Sequence, residues 1–334
     1  MTEKNKIFPL LIAEVANCHG GSQEYLSELI DKLCATSIEA VKFQLIIASE
    51  LLTPMHSRFN LFKSFEFDYP FWKKVVAKTK AVKKKVIFDI FGEDSLTLAI
   101  KLNADMLKIY ASDIDDVVFI KKALSFRIPI FLSTGGATLD EIDEVVKICK
   151  GANICLLVGF QSYPTPIKES HINRIAFLRS RYGCKVGYMD HSSSQDTFSI
   201  ILPCIAVARG ACTVEKHVYL DNREKKYDWE SAISPQDIDR LHLLLLKTIE
   251  SLGDGTFKLT ALEKKYFSEK RKVAVAARDL KLNERLNVFD LLFRWTDLGK
   301  GQDYIYRKDL NRFSKKLINC AVNKYEALTK GMFK

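Results

Sequence analysis

The sequence predicts a (β/α)₈, or TIM, barrel followed by a small β-rich domain. Three observations carry this reading. Short runs rich in Val, Ile and Phe alternate eight times with amphipathic stretches, filling the ~250 residues typical of such a barrel. The polar residues of these runs fall toward their C-terminal ends, positions that a barrel gathers on one rim. The turn after the first run reads NCHGGS rather than GxGxxG, which argues against a doubly wound open sheet.

The expected strands are PLLIAEVA (9–16), EAVKFQLI (39–46), KVIFDIF (85–91), MLKIYAS (106–112), PIFLSTG (129–135), ICLLVGF (154–160), KVGYMDHS (185–192) and CTVEKHVYL (212–220). Each is a short apolar run, as a strand buried on both faces requires. Helix-like periodicity lies near 22–36, 69–84, 94–102, 115–125, 138–149, 171–182, 195–209 and 235–251. After the loop SLGDGTF (251–257) the barrel periodicity stops, and EKRKVAVAARDLKLNERLNVFDLLFRW alternates short strands with charged turns. The expected division is a barrel at 1–252, a linker at 253–268 and a β-rich domain at 269–334.

Composition excludes several classes. Hydrophobic residues make up 47% and charged residues 28% of the 334, an ordinary globular balance. FPLLIAEVA is short for a signal peptide and is broken by Glu14, and no apolar run reaches membrane-spanning length. The eight cysteines form no CxxC pair, which suits reduced thiols in a cytoplasm. The net charge is +10, but no basic stripe interleaved with aromatics points to nucleic acid. The densest basic run, KKVVAKTKAVKKK (73–85), reads as the solvated face of a helix.

The polar strand-end residues are Glu14, Lys42, Gln44, Asp89, Lys108, Asp113, Ser133, Thr134, Gln161, Asp190, His191, Glu215 and His217. A lone histidine is more often structural than a ligand. Polar groups at the end of every strand instead favour a pocket.

In order, one per unit, IAEVANCHGGS, VKFQ, LKIYASD, STGGATLDEI, SYPTP, GYMDHSS and EKHVYLD resemble the N-acetylneuraminate (sialic acid) synthase family, which includes the legionaminate and pseudaminate synthases. The tail resembles the antifreeze-like (SAF, β-clip) domain that ends those enzymes. The resemblance implies condensation of phosphoenolpyruvate with an open-chain N-acetylated amino sugar, releasing phosphate. It implies that His191 and His217 bind a divalent metal, Mn²⁺ foremost, with Mg²⁺ or Co²⁺ as substitutes. Glu14 would be the general base for water. Lys42 and Lys108 would lie near the phosphoenolpyruvate charge, and Asp113 would stand for the family's fourth-strand glutamate. Gln44, Ser133, Gln161, Tyr163 and Asp228 would bind substrate, with Arg294 reaching the sugar across a domain-swapped homodimer. Trp295 competes with Arg294 for the tail arginine position.

Three positions depart from the pattern. Asp89, Ala111 and Met189 stand where the family has hydroxyls near phosphate, and Asp89 would repel phosphate unless paired with Lys108 or protonated. Lys42, Lys108 and Ser112 are the candidates to compensate. The departures keep two alternatives open: a repurposed relative that binds sugar or metal without turnover, and a related phosphoenolpyruvate-dependent sugar-acid synthase.

Overall fold

The computed structural model describes residues 8–297 and 302–334. The chain divides into two compact units, the first ending at Asp254 and the second beginning at Gly255.

In the first unit eight parallel strands close into a barrel in sequence order. They are β1 (Leu10–Glu14), β2 (Ala40–Gln44), β3 (Lys85–Ile90), β4 (Met106–Ile109), β5 (Ile130–Ser133), β6 (Ile154–Val158), β7 (Lys185–Asp190) and β8 (Thr213–His217). Closure places Glu14 beside both Lys42 and His217 in register. Helices follow the strands at Gln23–Cys34, Tyr69–Ala81, Glu93–Lys101, Val117–Ser125, Leu139–Ile148, Asn173–Tyr182, Leu202–Ala208 and Pro235–Ser251. Several start at a side-chain cap: Ser22, Asp68, Asp116, Thr138 and Ser234 each accept an N–H of the first turn. The basic run behaves as expected. Phe71, Trp72, Val75 and Val76 of its helix are buried, and Lys73, Lys74 and Lys78 face solvent.

The segment near 195–209 is helical over less of its length. A 3₁₀ turn at Thr197–Ile200 comes first, and the α-helix begins at Leu202 with Pro203 in its first turn, where a missing N–H costs nothing.

The two-residue period of a strand sorts the barrel interior into levels. A lower level of Ile12, Ala40, Ile87, Phe131, Cys155, Leu157 and Met189 packs as one apolar cluster with Met106. Two residues further along, the inward positions are Glu14, Lys42, Asp89, Lys108, Ser133 and His191. Gly187 belongs to this interior because a Cβ there would sit 2.1 Å from Thr213 Cγ2 and 2.7 Å from Leu157 Cδ2. Outward residues such as Leu11, Val41, Phe88 and Val186 pack against the helices. Asp190, counted above with the rim residues, instead lies in the outward rank and forms a fully buried ion pair with Lys216 at 2.9 Å.

In the second unit β9 (Val273–Ala276) pairs antiparallel with β10 (Leu291–Arg294). Isolated bridges such as Leu280 with Val322 and Ile318 with Phe333 extend the pairing over a core of Leu280, Leu286, Phe293, Ile305, Ile318 and Leu328. A helix at Ala261–Lys270, boxed by Thr260 and Glu263, occupies part of the segment read as a linker. No helix among the described residues is long and apolar enough to cross a membrane.

Candidate active site

A cavity of about 550 Å³ opens at the C-terminal ends of the strands. Glu14, Lys42, Gln44, Lys108, Ser133, Tyr163, His191, His217 and Asp228 all line it. Asp113 and Gln161 do not. Asp113 sits half-buried in a one-turn helix after β4, takes a hydrogen bond from Ser112 Oγ at 3.1 Å, and has its pKa raised by burial. Ser112 is exposed in that same turn and also stands off the cavity. Arg294 ends β10 in the second unit, exposed, with its guanidinium donating to Phe293 O at 2.9 Å. The tail stretch FRWTDLGKG runs into 298–301, outside the described residues.

The cavity floor is an ion-pair network. Lys42 Nζ contacts Glu14 Oε2, Asp89 Oδ2 (2.5 Å) and Glu215 Oε1 (3.2 Å). Lys108 Nζ lies 2.9 Å from Glu215 Oε1 and 3.8 Å from Asp89 Oδ2. All five groups are buried. Asp89 therefore pairs chiefly with Lys42 rather than Lys108. Three carboxylates meet two ammonium groups, so the floor carries one excess negative charge when every group is ionised. Burial pushes the Lys42 amine down to about 8, while Asp89 and Glu215 pull against that shift. Burial also opposes the Lys108 charge, but Asp89 and Glu215 hold its pKa above the ordinary value. Burial would raise the Glu215 carboxyl, yet Lys108 and Lys42 outweigh it and hold it down at about 2.

Above the floor, His191 Nε2 and His217 Nε2 converge to 3.3 Å. His191 Nδ1 lies 3.3 Å from Met189 O. Burial drives His191 down to about 4 and His217 well below the usual imidazole value, so both rings are neutral near pH 7. Tyr163 and Phe160 pack against them, with ring centroids 6.1 and 4.6 Å from His191. Among the described residues no group of three or more His, Cys, Asp or Glu is arranged for a metal ion. Two converging neutral imidazoles still fit a metal that takes its remaining ligands from substrate and water.

Polar groups also ring the cavity. Asn17 N–H donates to Asp228 Oδ2 at 2.8 Å, and Asn17 Nδ2 donates to Gln44 Oε1 at 3.2 Å. Burial raises the Asp228 carboxyl. His19 is a loop residue: its Nδ1 accepts from Gly21 N at 3.0 Å and its ring packs on Phe67. Sequence reasoning placed Glu215 among the pocket residues without assigning it a chemical role, and singled out neither Asn17 nor Arg58; all three line the cavity. Glu215 had a signal, since it precedes His217 by two residues on one strand and so shares its face. Arg58 had none, because it comes from a segment with no clear periodicity.

The NeuB family model matches residues 29–257. The chain is 28% identical over 294 residues to the N,N'-diacetyllegionaminic acid synthase of Campylobacter jejuni, covering 82% of this chain and 86% of that one. It is similar to the solved N-acetylneuraminic acid (sialic acid) synthetase of Leptospira borgpetersenii, with 27% identity and TM-score 0.73 over 78% of this chain and 90% of that one. A putative spore coat polysaccharide biosynthesis protein E from Chromobacterium violaceum shares the fold, with 24% identity and TM-score 0.80 over 98% of this chain and 99% of that one.

Proposed function

Because the chain belongs to the NeuB family, we propose that it is a sugar-acid synthase that condenses phosphoenolpyruvate with an N-acetylmannosamine-like amino sugar, giving a nine-carbon sialic-acid-type keto acid and phosphate. The observation that carries this reading is the single cavity where Glu14, Lys42, Lys108, His191, His217 and Asp228 meet at the catalytic end of the barrel. The names of the relatives support it.

In this reading Asp228 and Gln44 accept sugar hydroxyls, with Asn17 holding both in place. Tyr163 and Phe160 exclude water from the histidines. Glu14 takes a proton from the water that adds at carbon 2. Its Oε1 is fixed by the Ala16 N–H at 2.7 Å, which leaves Oε2 to exchange Lys42 for that water. Lys108 and Ser133 face the anionic donor. His191 and His217 would hold the divalent metal, Mn²⁺ foremost, which when bound supplies Lewis-acid polarisation of the sugar aldehyde. We further propose, on the resemblance, that the second unit is an antifreeze-like domain, that the protein is a domain-swapped homodimer and that Arg294 binds the sugar of the partner.

The floor network favours a second reading. Both lysines already meet carboxylates, so a repurposed relative that binds sugar without turning over phosphoenolpyruvate fits the same geometry. A phosphate-release assay over a panel of N-acetylated hexosamines, with phosphoenolpyruvate and Mn²⁺, separates the two. Release with one or more sugars supports the synthase. Sugar binding without release supports the alternative.

A further inference from the structure

Asp89 is the least compensated charge of the cavity floor. Its strand, β3, sets it level with Gln44 of β2 and Lys108 of β4. The side chain is fully buried and lines the cavity. Oδ2 meets Lys42 Nζ at 2.5 Å, with Lys108 Nζ further off at 3.8 Å. Oδ1 is buried and, among the described residues, has no hydrogen-bond partner. The other two carboxylates are better held. Glu215 Oε2 also lacks a partner, but its Oε1 lies against both ammonium groups, 2.9 Å from Lys108 and 3.2 Å from Lys42. Glu14 meets Lys42 through Oε2 and takes the Ala16 N–H through Oε1. The remaining titratable group beside Asp89 is Tyr110, whose phenol is raised by burial and then by the Asp89 charge, so it stays neutral near pH 7. Phosphoenolpyruvate would bring a carboxylate and a phosphate of about −2 to a floor that already carries one excess negative charge.

We propose, resting on the synthase reading, that Asp89 is a donor-binding residue: it takes up one proton from solvent as phosphoenolpyruvate enters and then faces that substrate as a hydrogen-bond donor. The proton settles on Oδ1, the oxygen that has no partner. No other bond is made or broken, and the charge of the floor rises by one. Repulsion between two anions is thereby replaced by an O–H···O bond to a charged acceptor. The new O–H fills the place of the hydroxyl that β3 lacks. Lys42, released from its pairing with Asp89, turns its ammonium to the donor. Glu14 and Glu215 then balance Lys42 and Lys108, two carboxylates against two ammonium groups. Donor affinity is consequently tied to pH. Protons favour the complex, so affinity falls as pH rises. The window lies above about 6, where the phosphate has lost its second proton. It lies below about 8, to which burial has pushed the Lys42 amine.

The test is calorimetric titration of the whole protein with phosphoenolpyruvate near pH 7, in two buffers of different ionisation enthalpy at one salt concentration. Wild type should take up about one proton per donor bound, and its affinity should fall about ten-fold per pH unit within the window. Asp89→Asn keeps an N–H donor and leaves the floor balanced, so it should bind with no proton uptake and a flat affinity there. Asp89→Thr carries the same expectation should the Asn variant not fold, with circular dichroism checking both. Binding by wild type without proton uptake would overturn the proposal, and phosphate release with sugar would show that the synthase reading survives it. Uptake that persists in Asp89→Asn would also overturn it, assigning the proton to Lys42 or to the donor's own phosphate. No binding of phosphoenolpyruvate by wild type would overturn this proposal and the synthase reading together.

Discussion

Asp89 Oδ2 lies 2.5 Å from Lys42 Nζ, so an ammonium that the family resemblance reserves for substrate charge is bound to the protein's own carboxylate. Asp89 also supplies the negative charge by which the floor exceeds its lysines. Asp89→Thr removes that excess and restores a hydroxyl, and Met189→Ser restores another. Each new hydrogen bond to a charged group contributes about 1.5–3 kcal/mol. The double variant should therefore bind phosphoenolpyruvate at least ten-fold more tightly than wild type in calorimetric titrations at one salt concentration. Unchanged tight binding would mean that the phosphate sits elsewhere. No binding by either protein, with sugar still bound, would favour the repurposed reading.

Glu14 is fully buried on the inward face of β1. Glu14→Gln keeps the shape but removes the base. Turnover per folded molecule should drop roughly 10²–10⁴-fold, the usual range for general acid–base catalysis. Circular dichroism and single-turnover kinetics check this together. A variant that is only less stable, with its turnover intact, would refute the role.

His191→Ala with His217→Ala should strip bound Mn²⁺ measured by elemental analysis while leaving the barrel folded. Both rings sit above the apolar level and carry no strand pairing through their side chains. Equal metal content in wild type and variant would end the assignment.

Arg294→Ala should raise KM for the sugar about 10- to 100-fold, the loss expected for one charged hydrogen bond, while KM for phosphoenolpyruvate stays near wild type. Sedimentation should give a dimer for both proteins. A fully active monomer would exclude the swapped arrangement.

Lys216 and Asp190 test stability rather than chemistry. Both are fully buried and paired at 2.9 Å on the outward side of β7 and β8, and Asp190 also accepts from Ser192 N at 2.9 Å. Lys216→Ala strands a buried carboxylate and should cost about 3–5 kcal/mol in denaturant titrations. A loss below 1 kcal/mol would show that water reaches the pair.

The barrel was legible because strands buried on both faces write themselves as short continuous apolar runs, each followed by a periodic helix. The cavity residues on those strands were legible for the same reason, since a charge in such a run has little choice but to face the mouth. Asp190 shows the limit: its neighbour His191 faces in, so period two turns Asp190 out, where Lys216 meets it. Residues 45–68 were the least readable. Two short helices there, Ala48–Leu51 and Phe59–Lys63, are too brief to show periodicity, yet their connection delivers Arg58 to the cavity. Of the floor's ion pairs the sequence suggested Asp89 with Lys108; the partners of Lys42 and the pair of Lys108 with Glu215 were hidden, because pairing across the barrel joins residues that far apart in the chain.

The apolar level of Ile12, Ile87, Phe131, Leu157 and Met189 also works as an insulator. It separates the charged upper chamber from the N-terminal mouth with a layer of low polarity that screens charge poorly. A charge introduced below would therefore still be felt by the ion pairs above, whereas an uncharged change would reach them only through shifts in strand position. The two mouths of the barrel can accordingly accept uncharged substitutions independently, one tuned for chemistry and the other for durability.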